Sequence, residues 1–272
     1  CARRGASKWR MRGLSANING SNGPESKEKQ MASAKPLGGR SYGSIPHLPG
    51  SRRGPGDYGL SDEQARMLTD RAKDRRDRVI VQEKLDGSNV AAARIGDEIH
   101  AITRAGYLAH TSPYPQHHAW GRWVDHHRAA LLALLSDGER VCGEWMMLAH
   151  GTRYSLPHGP FVAFDLRIGQ GRASVDEVTR RCSAAGLPVP RVISDGPQIS
   201  VAEVLARLEP SGHGALDPVE GAVWRCERAD PKSPTILAKF VIASKVDGCY
   251  LSTVDGGPEA DTPNTWTGGW AP

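Results

Sequence analysis

The chain contains no uninterrupted apolar run of about 18 residues or more, the length a membrane-spanning helix requires. It also lacks a basic-then-apolar signal segment at its start. No membrane partner is therefore expected, and the chain reads as soluble, intracellular and cytoplasmic. No C-x-x-C pair is present. The five cysteines, Cys1, Cys142, Cys182, Cys226 and Cys249, are odd in number and far apart, which argues against a disulfide framework and against zinc or redox spacing and leaves them as free thiols. No H-E-x-x-H sequence makes a zinc helix of the His117-His118 or His126-His127 pairs, and no internal repeat is visible. Bulk charge is missing as well. The net charge of +5 invites a polyanionic partner, yet residues 1 to 30 hold seven Lys or Arg against two Asp or Glu, so residues 31 to 272 carry 28 of each and are neutral. Binding of a polyanion would have to rest on local placement of Lys84, Arg104, Lys239 and the arginines near positions 52 and 75.

At 272 residues the chain can bury an ordinary core as one large domain or two modest ones. With 39% hydrophobic and 24% charged residues it matches soluble globular proteins, which excludes wholesale disorder. Residues 1 to 35 are rich in Arg, Lys, Ser, Asn and Gly without apolar period, and are expected to form a disordered or non-native leader, with Met31 as the natural start. A Pro/Gly-rich lead-in follows, containing Ser44 to Ser51. Ser61 with Gln64, Ser174 with Glu177 and Ser200 with Glu203 each have the spacing of a capping box, and each predicts a helix start. Trp120, Trp123, Val124, His127, Leu131, Leu134 and Leu135 recur at steps of three and four, predicting one helix over 116–135 with a single apolar face. Strands are expected at 79–82, 89–94, 98–103, 140–145, 161–167, 219–225 and 235–242, with a Gly96-Asp97 turn between the second and third. The expected fold is α+β: mixed, mainly antiparallel sheets with flanking helices. Residues 251–272 return to Gly, Pro, Thr and Asp and predict a flexible tail.

The most informative stretch is Glu83-Lys84-Leu85-Asp86-Gly87-Ser88-Asn89. Gly87 lets the backbone turn sharply beside Lys84, so the amine can be aimed into a cleft; a plain surface turn is the alternative, since Asp-Gly is a common turn pair. Glu220 stands among Val219, Ala222 and Val223, where a buried carboxylate is costly unless a cation meets it. Lys239 similarly interrupts an apolar strand, either to serve a site or to snorkel from an edge.

Lys84-Leu85-Asp86-Gly87 resembles motif I of the covalent nucleotidyltransferases, the superfamily of DNA ligases, RNA ligases and mRNA capping enzymes. With Asn89 it is most similar to ATP-dependent RNA ligases of the RNA ligase 2 type. The resemblance continues in order: Thr103 to Gly106 resembles motif Ia, Val141 to Trp145 motif III, Phe161 to Asp165 motif IIIa, Val219 to Val223 motif IV, and Leu237 to Val241 motif V. It implies a nucleotidyltransferase catalytic domain over residues 36–250, of the ATP-grasp-like DNA/RNA ligase type and without an oligonucleotide-binding (OB-fold) barrel.

The resemblance further implies an enzyme that joins 5′-phosphate and 3′-hydroxyl RNA ends, within a nicked duplex as one case, through AMP carried covalently on Lys84. ATP and Mg2+ or Mn2+ would be its cofactors, and repair proteins its partners. Lys84 and Lys239 would be catalytic. Glu83, Lys84, Asn89, Arg104, Glu144, Phe164, Glu220 and Lys239 would bind the nucleotide, with Glu144 on the ribose hydroxyls and Phe164 stacked on adenine. Glu220 and Asp165 would face the metal. An attacking lysine must be neutral, whereas a free one has a pKa of about 10.4. The expectation is therefore that burial, Lys239 and a bound divalent metal lower the pKa of Lys84, while Glu83 and Asp86 would oppose this if they lay close. Where the family commonly has two lysines two apart in motif V, this chain has Lys239 and Val241. The competing readings are a small DNA ligase or a guanylyltransferase and, in another class, a non-catalytic subunit that binds nucleic-acid ends within a repair complex.

Overall fold

In a computed structural model, which describes residues 35–268 and 270–272, the expected periodicities become six helical segments and eleven strands. The expected leader, apart from Lys35, lies outside the described residues. In chain order the elements are α1 (Asp62–Thr69), β1 (Arg78–Lys84), β2 (Ser88–Ile95), β3 (Glu98–Thr103), a 3-10 turn (Ala109–Thr111), α2 (Pro115–His126), α3 (Arg128–Leu134), β4 (Glu139–Trp145), β5 (Ser155–Leu156), β6 (Phe161–Ile168), β7 (Gly171–Arg172), α4 (Val175–Ala184), β8 (Val192–Gly196), α5 (Val201–Leu205), β9 (Gly221–Glu227), β10 (Ile236–Val241) and β11 (Thr265–Trp266).

The strands form two principal antiparallel sheets. One has the order β10-β9-β1-β8 and the other β3-β2-β4-β6-β7, so the α+β expectation of mainly antiparallel sheets with flanking helices holds. The β2–β3 hairpin turns at Gly96, whose φ of 61° suits glycine. β1 and β2 follow one another in sequence but do not pair. They belong to different sheets, and the link between them carries the chain from one sheet to the other.

Alternation explains the cores. On β2, Val90 and Ala92 face a cluster with Trp120, Trp123, Leu131, Val141 and Phe161, whereas Ala91 and Ala93 face Tyr42, Ile102 and Cys142. Val79 and Val81 of β1 pack with Leu68, Val204, Trp224 and Ala238 in the core of the other sheet.

Ser61 and Ser200 form complete capping boxes with Gln64 and Glu203. Ser174 caps only one way: its hydroxyl accepts from the Glu177 amide, and the Glu177 carboxylate turns to Arg180 instead. The apolar face over 116–135 is real, but the helix breaks at His127 (φ −97°, ψ 12°). There the ring stacks on Trp123 at 3.9 Å and its Nδ1 approaches the Trp123 carbonyl at 2.8 Å. β8 was not anticipated: it is a five-residue edge strand with no buried residue, so it lacks the apolar alternation that marks a strand.

The C-terminal segment corrects the expectation of a flexible tail. β11 pairs in parallel with β5, and Trp270 meets Trp145 with ring centroids 5.5 Å apart. Asn264 is buried; its amide donates to the Met146 carbonyl (2.9 Å) and its side-chain oxygen accepts from the Tyr154 amide (2.8 Å). Gly, Pro and Asp suited the turns here, while one buried amide supplied the anchor. Asn264→Ala is expected to lower stability by about 2–3 kcal/mol, because two buried backbone groups lose their partners. Thermal melting, with faster hydrogen exchange at the Tyr154 amide, checks this.

Candidate active site

The two sheets meet where β1 ends. Lys84 is the last residue of β1 and lies opposite Gly221 of β9. The chain then passes through Leu85-Asp86-Gly87 into β2. A Cβ on Gly87 would lie 2.7 Å from the Trp145 carbonyl oxygen, so only glycine lets this link rest against β4. One sheet thus contributes Lys84, Glu220 at the entry to β9, and Lys239 on β10. The other contributes Asn89 on β2, Glu144 directly opposite it on β4, and Phe164 on β6. Arg104 comes from the turn after β3, a turn closed by Gly106 with φ 91°. These residues line one continuous cleft together with Tyr42, Ile45, Leu237 and Arg225.

Charge in the cleft is concentrated at the Lys84 amine. Its Nζ donates to Glu220 Oε2 at 2.5 Å and to the Leu85 carbonyl at 3.2 Å. Burial pulls the pKa of Lys84 down, but Glu220, Glu144 and Asp86 together outweigh burial, and the amine is held above its ordinary value. Three carboxylates crowd one ammonium, so burial alone does not lower the amine, and Asp86 opposes the lowering as expected. Burial raises Glu144 to about 7, against the pull of Lys84. Glu144 Oε1 accepts from the Gly87 amide at 3.3 Å. Lys239 is lowered by burial and by Lys84, as one cation suppresses another.

The donor set fits a nucleotide. Asn89 Oδ1 is buried without a hydrogen-bond partner, an orphan that an incoming donor would satisfy. Phe164 is half-buried and meets Tyr42 edge-on at 5.1 Å, leaving an apolar wall at this end of the cleft.

Two expected site residues keep their carboxylates out of this arrangement, although Glu83 is part of the cleft wall. Lys84 faces the cleft, so Glu83, its neighbour on the strand, points to the other face. There its carboxylate accepts from Ser211 Oγ (2.5 Å), the Gly212 amide (2.8 Å) and Arg191 Nε (3.2 Å). It fastens β1 to the loop after α5, and both of its oxygens are already engaged there. Asp165 is likewise sealed, at 1% exposure, between Arg172 and Arg225, the latter 3.6 Å away. It does not face the cleft, and its reading as a metal ligand is corrected to that of a buried counter-charge.

Among the described residues no group of three or more His, Cys, Asp or Glu side chains is placed to hold a metal ion. A hard divalent cation that keeps most of its water and binds one or two carboxylates plus substrate phosphates needs no such cage. Glu220 alone, at the cleft floor, fits that mode.

Several residues were missed from sequence. The Ser44 to Ser51 segment lies along the free edge of β10: the Lys239 amide donates to the Pro46 carbonyl and the Leu48 amide to the Lys239 carbonyl, both at 2.9 Å. His47 is buried beside Asp57 (3.0 Å), and Asp57 stands 3.5 Å from Lys239 Nζ. Lys245, six residues beyond Lys239, lines the same cleft, with Nζ donating to the Gly151 carbonyl at 3.1 Å. Neither Asp57 nor Lys245 belongs to a local pattern that would have marked it. His150 also lines the cleft, whereas His158 faces His213 at 2.8 Å.

Residues 77–241 match the family model described as RNA ligase. No curated protein matches the chain in sequence. Among solved structures, it is similar to an archaeal ATP-dependent RNA ligase (23% identity, 74% of this chain and 48% of that one, TM-score 0.45). It is also similar to a putative ATP-dependent DNA ligase from Aquifex aeolicus (17%, 80% and 61%, TM-score 0.41), and to a mutant Naegleria gruberi RNA ligase with AMP and Mn (14%, 75% and 57%, TM-score 0.46). The chain spans about half the length of the archaeal structure it matches.

Proposed function

The chain belongs to the RNA ligase family, whose model covers more than half of it, and from this premise we propose that it is an ATP-dependent RNA ligase that joins a 5′-phosphate to a 3′-hydroxyl. The observation that carries the reading is the meeting of Lys84, Lys239, Arg104, Asn89, Glu144, Phe164 and Glu220, drawn from both sheets and the turn after β3, on one cleft around a single amine.

The chemistry runs in three transfers. The Lys84 Nζ lone pair attacks the α-phosphorus of ATP, the bond to pyrophosphate breaks, and the amine loses its proton. An oxygen of the RNA 5′-phosphate then attacks the same phosphorus; the N–P bond breaks and the amine regains a proton. Finally the 3′-hydroxyl, giving up its proton, attacks the activated 5′-phosphorus and AMP leaves. Lys239 stabilises the charge that builds on the α-phosphate. Arg104 offers a planar fork of donors to a phosphate, Glu144 accepts from the ribose, and Phe164 covers the adenine face. A divalent cation at Glu220, Mg2+ or Mn2+, would neutralise the leaving pyrophosphate and, by taking up that carboxylate, weaken the hold on the Lys84 proton.

The protein, incubated with ATP and the metal, is expected to gain the mass of one AMP; no gain would sink the reading, and gain from GTP alone would move it to guanylyl transfer. Because Lys84 is held protonated, the initial rate of adduct formation should rise with pH above neutrality. Glu220→Gln removes the nearest negative charge, so the rising limb should move to lower pH even as the plateau falls. A pH–rate profile by intact mass reads both changes.

A further inference from the structure

A second depression opens off the nucleotide cleft where Asn89 and Arg104 line both. One wall is the turn from Thr103 to Tyr107; the other is the approach to α2, Thr111 to His117. Both walls are stiff. The turn is closed by hydrogen bonds from the Thr103 amide to the Tyr107 carbonyl (2.9 Å) and from the Gly106 amide to the Thr103 carbonyl (2.8 Å). A Cβ on Gly106 would lie 1.9 Å from the Gly39 carbonyl oxygen, so the loop has one seat. On the other side Tyr114 stands between Pro113 and Pro115, which restrict its backbone on both flanks. Its ring meets His117 edge-on at 5.7 Å, and His117 Nδ1 is 2.6 Å from Ser112 Oγ.

On these fixed walls two large rings are left in solvent, Tyr107 at 43% and Tyr114 at 54% exposure. The Lys35 ammonium lies 4.6 Å over the Tyr107 ring. The lining contains Arg104 and no Asp or Glu. The opposite lobe of the cleft mixes the carboxylates of Asp57, Asp86, Glu144, Glu220 and Asp247 with the cations of Arg52, Lys84, Arg104, Lys239 and Lys245. From the Lys84 amine one direction therefore offers a dense mixture of both charges and the other exposed rings with one guanidinium and no carboxylate.

Resting on the ligase reading, we propose that this groove seats the unpaired end of the RNA, with its bases against Tyr107 and Tyr114 and its terminal 5′-phosphate at Arg104. Flat rings fixed beside a cation are what stacking of successive bases uses, and such stacking tolerates any sequence because every base has a π-face. The Arg104 fork, of which one nitrogen is bonded to Ser44 Oγ at 2.8 Å, keeps donors for the phosphate.

The probe is a short single-stranded RNA with a 5′-phosphate and a 3′-fluorophore, titrated with the full chain and read by anisotropy. Tyr107→Ala and Tyr114→Ala are each expected to weaken binding about tenfold, the loss of one stacked base. Tyr107→Phe and Tyr114→Phe should stay close to wild type, and a 5′-hydroxyl RNA should bind more weakly than the phosphorylated one. Thermal melting confirms that each variant is folded. Failure of the wild-type chain to bind the RNA, wild-type affinity in both alanine variants, or equal losses in the phenylalanine variants would each overturn the proposal. AMP gain by wild-type protein without RNA is measured separately. Its absence alongside tyrosine-dependent binding sinks the ligase reading and leaves the groove standing; its presence with indifferent tyrosines sinks the groove alone.

Discussion

Lys84→Ala is expected to acquire no AMP under conditions in which the wild-type chain is fully converted, a loss on the order of 10⁴-fold or more, as for removal of other covalent nucleophiles. Among the described residues Lys84 is the amine on which Glu220, Glu144 and Asp86 converge, so Cys249, half-buried, and the hydroxyls near the cleft are not expected to stand in. Lys84→Arg separates nucleophile from charge. A guanidinium keeps a cation beside Glu220, so the fold should tolerate it, yet it stays protonated at every relevant pH and cannot attack phosphorus. Both variants should still seal an RNA whose 5′ end already carries AMP, since that transfer does not use the amine. Intact mass after incubation with ATP, and gel analysis of the pre-activated RNA, read the two outcomes. An AMP adduct on Lys84→Ala would move the nucleophile elsewhere.

Asp165→Ala is expected to destabilise the chain by about 3–5 kcal/mol, the cost of breaking a buried ion pair by removing one partner. Arg225 is 5% exposed and Arg172 17% exposed, so both guanidiniums would lose a charge partner where little water reaches, and Arg225 would keep only Glu227 at 3.2 Å. At about 2–4 °C per kcal/mol for a chain of this size, melting should fall by about 6–20 °C. At a temperature where the variant is folded, the metal concentration that half-saturates AMP gain should match wild type, because the carboxylate is outside the cleft. Glu220→Ala should do the opposite, with a modest change in melting and a raised metal requirement. A normal melt with a raised metal requirement in Asp165→Ala would restore the ligand role that the structure denies it.

Much of this was legible in the chain. Ser61 and Ser200 marked helix starts because a cap is a three-residue affair, and β1 through β4 followed from short-range alternation. Lys84 and Gly87 stood out because a lysine beside a tight turn is a local arrangement. The inward face of β1 was also within reach: strand neighbours point to opposite faces, so a cleft-facing Lys84 already turns Glu83 away. Asp165 was harder. Cys142 pairs with Asp165 while Gly143 pairs with Ala163, so a bulge leaves Phe164 as the extra residue and upsets the count from which facing would be read.

The sequence by itself determined the α+β class, the positions of the seven longest strands and of the caps, and the order of the motifs, because each depends on residues a few positions apart. Tertiary structure alone decided what surrounds each charge. Lys84 finds Glu220 across 136 residues, Glu83 finds Ser211 across 128, and Arg78 finds Asp195 across 117. A pKa or a metal site is a sum over such distant neighbours, and no local period carries that sum.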